Sequence, residues 1–288
     1  MKCELVDVFA EHPFMGNGLT IFYDFDELTQ AKMQVLTQEM KQFESIFLSR
    51  DEQGFRARIF TEQEELDFAG HPLLGLCMHL HEKYALGDTA DWQVQLNQKT
   101  VCLKSDARDG KFLASMDQGK AELLNSLTDE QAQVFYQALG LETALVDYPA
   151  QVISTGLPYL ILPVDGALDK VSFQVNDLTP LLEKHQAKFL YVIDVGITSG
   201  VCEGRTWDND GRVEDIATGS AAGPVAAYLY THQLTQSKKV KIEQGRFVNR
   251  PSVIEVELQC SETEIERVIV SGSVVKVADI NFTANNVS

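Results

Sequence analysis

Basic residues are scarce in this chain: 24 Lys and Arg stand against 42 Asp and Glu, a net charge of −18 over 288 residues. Such a balance repels phosphate backbones and anionic bilayers, which argues against a nucleic-acid or membrane-surface role. Cysteine is equally sparse. Cys3, Cys77, Cys102, Cys202 and Cys260 are odd in number, scattered and without C-x-x-C spacing. They exclude a disulfide framework and a zinc site of the usual pattern, and they read as reduced thiols. Long hydrophobic runs are missing, and Met1-Lys2-Cys3-Glu4 does not open a signal peptide, so a cytoplasmic protein is expected. No metal is expected either. His79 and His81 lie two apart, a spacing that points side chains to different helix faces, and both are read as solvated or capping. Nucleotide signatures are absent as well: Gly16-Asn17-Gly18 lacks the third glycine of a dinucleotide fingerprint, and there is no P-loop.

What the chain does contain is an echo of itself. Asp67-Phe68-Ala69-Gly70-His71-Pro72-Leu73-Leu74-Gly75 lies without a gap on Asp215-Ile216-Ala217-Thr218-Gly219-Ser220-Ala221-Ala222-Gly223, an offset of 148 (215 less 67). Each copy runs from an Asp through a small, Gly-rich turn into an apolar run read as a helix, Leu76 to His81 and Pro224 to Tyr230. Unpaired N–H groups at a helix start seat carboxylates and phosphates. Two such starts facing each other across a cleft would hold one small anionic ligand. The length fits two units, each large enough to bury its own core.

The rest of the pattern is strand-rich. Strands are expected at Glu4–Phe9, Leu19–Tyr23, Glu44–Ser49, Phe55–Phe60, Trp92–Leu96, Val101–Ser105 and Phe112–Met116. The second half repeats this grammar at Gln151–Ser154, Leu160–Val164, Phe189–Asp194, Val201–Trp207, Lys239–Gln244, Ser252–Leu258, Ile265–Val270 and Ser273–Val277. Thr29–Gln42, with Ala31, Val35, Leu36 and Met40 apolar, and Thr128–Leu139, with Asp129 and Glu130 in its first turn, read as helices. The expected class is α+β: two similar lobes, each a curled, barrel-like sheet around a central helix. The boundary is placed in the polar stretch Gln118–Ser126. That gives an N-terminal lobe of residues 1–117, joined by a C-terminal strand at 276–288, and a second lobe of 118–275.

One acid departs from the repeat. Glu44 heads an otherwise apolar strand, and its partner at the same offset is Val192, so only one copy carries a carboxylate there. A carboxylate in an apolar, partly desolvated setting is suited to general base work near neutral pH. Taken singly, Glu44 also reads as a strand-end acid in water, His71 as a turn histidine bonded to backbone, and Asp215 as an N-cap. Those readings leave the pairing of the two segments unexplained.

At these residues the chain resembles the PhzF-like (phenazine biosynthesis-like) isomerases, which share the diaminopimelate epimerase fold. The matches are Asp7-Val8-Phe9 with Pro13-Phe14-x-Gly16-Asn17, Glu44-Ser45-x-Phe47, Arg58-Ile59-Phe60-Thr61, and Glu65-Leu66-x-Phe68-Ala69-Gly70-His71-Pro72. They continue with Glu214-Asp215-x-Ala217-Thr218-Gly219-Ser220-Ala221 and Glu243-Gln244-Gly245 before Arg250-Pro251-Ser252. The resemblance implies cofactor-independent proton transfer at a carbon beside an activating group, in a cleft between the lobes. It makes Glu44 the general acid/base, with His71 and Asp215 positioning the ligand and relaying protons. Asn17, Gly70, Thr218, Gly219 and Ser220 are the expected substrate-binding residues, and a homodimer is compatible with the family. Related racemases use two cysteines at the glycine-rich motifs. Neither motif here holds one, so a one-base isomerase is preferred to an epimerase. Gly18 and Ile216 stand where the family commonly has Pro, which leaves the substrate open. A non-catalytic ligand-binding or protein-interaction member of the same fold is the main rival.

Overall fold

The computed structural model describes residues 1–25, 27–141, 146–196, 201–261 and 264–282. The expected terminal strand at 276–288 therefore falls within the described residues only as far as 282. The chain divides into two compact units, Met1–Met116 with Ser271–Ser288, and Asp117–Val270.

The first unit runs β1 (Lys2–Val8), β2 (Asn17–Tyr23), α1 (Gln30–Met40), β3 (Glu44–Asp51), β4 (Gly54–Thr61), β5 (Glu65–Leu66), α2 (Gly70–Tyr84), β6 (Thr89–Gln95), β7 (Thr100–Asp106) and β8 (Leu113–Asp117). The second follows with β9 (Glu122–Ser126), α3 (Asp129–Ala138), β10 (Gln151–Ser154), β11 (Pro158–Val164), α4 (Thr179–Glu183), β12 (Phe189–Asp194), β13 (Val201–Thr206), α5 (Gly219–Thr231), β14 (Lys239–Gln244) and β15 (Ser252–Cys260). The last strand, β16 (Ile265–Asn281), gives its first residues to the second unit and its later ones to the first, where it pairs antiparallel with β1.

The repeat seen in the sequence is a repeat of pairing. In the first unit β1–β2 is antiparallel, β2–β3 parallel, β3–β4 antiparallel, β4–β6 parallel and β6–β7 antiparallel. In the second, β10–β11, β11–β12, β12–β13, β13–β14 and β14–β15 follow the same alternation. The Gly-rich helix sits in the same place in each order, α2 before β6 and α5 before β14. A parallel pair needs a crossover, and these helices supply it. Both are wrapped by their own sheet. In α2 every residue from Gly70 to Leu80 is buried, and a Cβ at Gly75 would lie 2.4 Å from Leu19, 3.0 Å from Val8 and 3.2 Å from Val6. Only glycine admits strands β1 and β2 that close to the helix.

Each repeat also pins its Gly-rich turn with a forked ion pair. Arg58 Nε and Nη2 donate to Glu65 Oε1 and Oε2 at 2.7 and 2.6 Å, and Arg205 Nε and Nη2 donate to Glu214 at 3.0 and 2.6 Å. Bidentate geometry fixes orientation as well as adding energy. The Arg58 fork holds the Glu65 carboxyl below the ordinary range against the opposing effect of partial burial.

Several expectations need correction. α1 buries Met33, Leu36 and Thr37, while Val35 is exposed, so its packed face is turned from the one read off the sequence. That face covers Cys3, Phe22, Phe47 and Phe60, with Phe22 and Phe47 stacked at 4.5 Å. Part of the stretch read as a boundary is strand β9, an edge strand whose Leu123 and Leu124 remain exposed. The break expected between Val270 and Ser273 is not a break. Gly272 lies inside β16, where a Cβ would sit 2.3 Å from the ring of Phe9. His79 is buried, not solvated: its Nδ1 meets Glu4 at 3.0 Å. His81, partly exposed, meets the Ser105 hydroxyl at 2.8 Å. Among the described residues no helix is long and apolar enough to cross a membrane.

Candidate active site

The first unit brings Glu44 and His71 together. Glu44 is the first residue of β3, set beside Leu19 of the parallel β2 and opposite Thr61 of the antiparallel β4. His71 is the second residue of α2. Their side chains are 8% and 6% exposed, and His71 Nδ1 lies 2.8 Å from Glu44 Oε2. A carboxylate accepting from Nδ1–H fixes the imidazole tautomer and orientation. The other ring nitrogen is then the informative atom. His71 Nε2 is buried and has no hydrogen-bond partner among the described residues. A buried polar atom without a partner is uncommon and costly, and it is a recognised sign of a functional position.

The backbone around this pair suits an anion. Ala69, the N-cap of α2, offers no side-chain cap to the first amides, and Pro72 removes the third, leaving Gly70 and His71 as the leading N–H groups. Helix polarity adds positive potential there. Asn17 begins β2 opposite Val8 and is buried. The strand turns into it through Gly16, at φ 63°, where a Cβ would lie 2.3 Å from the Val8 carbonyl. At Gly18 a Cβ would lie 2.1 Å from the Gln42 amide oxygen, so here a glutamine side chain fills the space beside the strand.

The second unit brings Asp215 and Thr218 together. Thr218 Oγ1 donates to Asp215 Oδ2 at 2.5 Å. The Thr218 backbone N–H donates to Gln244 Oε1 at 3.0 Å, so neither polar group of Thr218 is left over for an anion. Ser220 Oγ lies 2.7 Å from the Tyr159 hydroxyl. Gly219 opens α5 and accepts from Gln118 Nε2 at 2.9 Å through its carbonyl. Helix starts at Gly70 and Gly219 are one residue off the register of the repeat, within the usual latitude of helix ends. Asp215 is not the N-cap; Thr218 is.

Tyr191, Tyr159 and Gln118 escape a reading of the sequence, because strands and turns far apart in the chain carry them. Gln244 is visible only as part of a Glu-Gln-Gly match, with no role attached. Gly245, next to it, has φ 81°, and a Cβ would sit 2.3 Å from the Arg250 carbonyl oxygen and 2.6 Å from that of Ile216. Gly245→Ala is therefore expected to destabilise by about 1–3 kcal/mol from the backbone alone, with the collision at Ile216 adding to it. Gly119→Ala is the control, at φ 79° but with nothing within 4 Å. Urea midpoints should separate the two; equal losses would remove the close approach as a cause.

Cys77 and Cys202 are fully buried thiols. Burial pushes the Cys77 thiol up to about 12, and it raises the Cys202 thiol further.

Comparison with known proteins agrees with this architecture. The family model described as "Phenazine biosynthesis-like protein" matches residues 6–279. The chain belongs to the phenazine biosynthesis-like family. A trans-2,3-dihydro-3-hydroxyanthranilate isomerase of Pseudomonas fluorescens is 32% identical over 279 residues, covering 93% of this chain and 94% of its own. The solved structure of a predicted epimerase from Pseudomonas aeruginosa superimposes with a TM-score of 0.88 at 45% identity over 99% of both chains. A PhzF-family protein of Bacillus anthracis does so with a TM-score of 0.83 at 24% identity, covering 97% of this chain and 98% of its own. These phenazine biosynthesis-like relatives confirm the α+β class and place the chain among isomerases.

Proposed function

We propose that this phenazine biosynthesis-like protein is a cofactor-independent isomerase that moves a proton at a carbon next to the carboxylate of a small acid. The observation that carries the reading is the buried Glu44–His71 pair at 2.8 Å with His71 Nε2 left without a protein partner. Glu44 acts as general acid/base. Its carboxylate takes a proton from carbon, the C–H electron pair moves into the conjugated, carboxylate-bearing system, and the same group returns the proton to another carbon. His71 relays charge and binds the substrate through Nε2. The Gly70 and His71 amides stabilise the negative charge that develops as the proton leaves. In the second unit Asp215, held by Thr218, positions the ligand and relays protons, with Gly219 and Ser220 as binding residues; Asn17 is the further binding residue of the first unit.

Neither Gly-rich turn carries a cysteine, and Cys77 and Cys202 are buried, neutral thiols, which tells against a two-cysteine epimerase. One base working on one face transposes a double bond more readily than it inverts a centre. The P. fluorescens relative is named for trans-2,3-dihydro-3-hydroxyanthranilate, which makes that compound the first probe.

The test is incorporation of deuterium from heavy water into this compound and a panel of other small carboxylic acids, followed by NMR. Incorporation into one acid, with no added cofactor, is expected. Tight binding of an acid with neither incorporation nor conversion to an isomer would replace the isomerase by a ligand-binding protein.

A further inference from the structure

The second unit holds a chain of hydrogen bonds that runs through one side chain, Gln244. An amide has two acceptor positions and two donors. Gln244 Oε1 accepts from the Tyr191 hydroxyl at 2.9 Å and from Thr218 N–H at 3.0 Å. Its Nε2 donates to the Asp215 carbonyl at 2.8 Å and to Thr218 Oγ1 at 3.0 Å. All four positions are used, in a side chain only 2% exposed. Turning the amide over would set its NH2 against the Thr218 N–H and its oxygen against the Asp215 carbonyl, so the orientation is unique.

This orientation dictates the next one. With Gln244 Nε2 donating into Thr218 Oγ1, the threonine hydroxyl proton is turned away from the glutamine and goes to Asp215 Oδ2. Tyr191 secures the other end. It is fully buried on β12, and burial keeps its phenol protonated and hence a donor. A Cβ at Gly204 would lie 2.2 Å from its ring, so a glycine on the neighbouring strand makes the room. β12 occupies the place in the second repeat that β3 occupies in the first. One repeat uses that strand to present the acid Glu44 to its Gly-rich helix, and the other uses it to anchor an amide beneath the corresponding helix.

We propose that Gln244 is the positioning residue that sets the Asp215 carboxylate for proton transfer, acting through Thr218 and held in place by Tyr191. This rests on the reading of Asp215 as part of the site. Removing Gln244 leaves the Asp215 side chain chemically intact but frees its carbonyl and the Thr218 hydroxyl that holds its carboxylate, so the carboxylate can shift. A misplacement of about 1 Å can cost about a hundredfold in rate.

Two measurements test the proposal. The first is a double-mutant cycle on deuterium incorporation into trans-2,3-dihydro-3-hydroxyanthranilate. Gln244→Leu should lower kcat about 10- to 100-fold with a smaller change in KM. Asp215→Ala combined with Gln244→Leu should then be no slower than Asp215→Ala alone, because both act through one carboxylate. Thr218→Val should match the Gln244→Leu loss, and Thr218→Ser should keep most of the activity. Losses that multiply in the double variant, or a Thr218→Val enzyme at the wild-type rate, would overturn the proposal. An Asp215→Ala enzyme exchanging at the wild-type rate would instead remove Asp215 from the site.

The second measurement needs no substrate. Amide hydrogen exchange across residues 215–220 should speed up in Gln244→Leu while α3 and β10–β11 keep their protection. Unchanged protection at Thr218 would overturn the proposal. Tyr191→Phe keeps the ring and three of the four Gln244 bonds, and serves if the leucine variant does not fold. A partial loss of protection over the same residues is expected, and none would count against Tyr191.

Discussion

Glu44→Gln abolishes deuterium incorporation: the expected loss is at least about a hundredfold and up to about 10⁴-fold, the range for a positioned general acid/base. The substitution keeps the volume of the side chain and an oxygen able to accept from His71 Nδ1, so the 2.8 Å contact has a substitute. Secondary structure by circular dichroism and the urea midpoint should stay close to wild type, and binding of the unreactive acid should persist. His71→Ala is expected to lose less. The base remains, while the group that orients it and the Nε2 contact to the ligand are gone. A Glu44→Gln enzyme within about threefold of wild type would end the one-base mechanism, since general acid/base groups contribute far more than that.

Glu44 shows how far a sequence can be read for chemistry. Its asymmetry between the repeats was visible, because Val192 stands at the matching position. Its direct contact with His71 was not. His71 lies 27 residues further on by number, and the two meet only because β3 runs parallel beside β2 while α2 passes behind both. Strand identities came through well: β6, β7, β14 and β15 bury one face and alternate, while β2, β11 and β12, buried on both faces, stand out as short continuous apolar runs. What alternation does not carry was missed. β9 is a half-exposed edge, α4 is five residues long, and β5 is two. Gly272 read as a break because a glycine in a strand usually marks one; here it clears space for Phe9. The Tyr191–Gln244–Thr218 connection spans 53 and 26 residues in sequence, and polar residues carry no periodic signal that would link them.

His79 was the largest misreading, and it carries the largest expected effect on stability. Period alone places it on α2 two residues from His81, but it does not say which face the sheet covers. Glu4, on β1, supplies the answer: it is fully buried, with His79 Nδ1 at 3.0 Å from one carboxylate oxygen and Lys276 Nζ at 3.4 Å from the other. Tyr23 covers the imidazole at 4.4 Å between ring centroids. Burial by itself would raise the Glu4 carboxyl, but the His79 hydrogen bond and the charges of His79 and Lys276 outweigh it and hold the group below its ordinary value. A carboxyl lowered in the folded state stabilises the protein above its unfolded pKa, and that contribution is lost as pH falls through the folded value. His79→Leu removes the chief compensation and leaves burial dominant. The expected cost near pH 7 is about 3 kcal/mol, the lower end of the range for stranding one member of a buried pair, since Lys276 remains. The sign of the pH dependence follows. Without His79 the Glu4 carboxyl is raised in the folded state, so protonation relieves the variant, and its deficit against wild type should shrink between pH 7 and about pH 4.5. Glu4→Leu with His79→Leu should recover most of the loss, because no buried charge is then left unpaired. Urea melts of His79→Leu, Glu4→Leu and the double variant at the two pH values decide it. A deficit constant with pH, or a double variant as unstable as the sum of the single ones, would mean that His79 contributes packing and not charge.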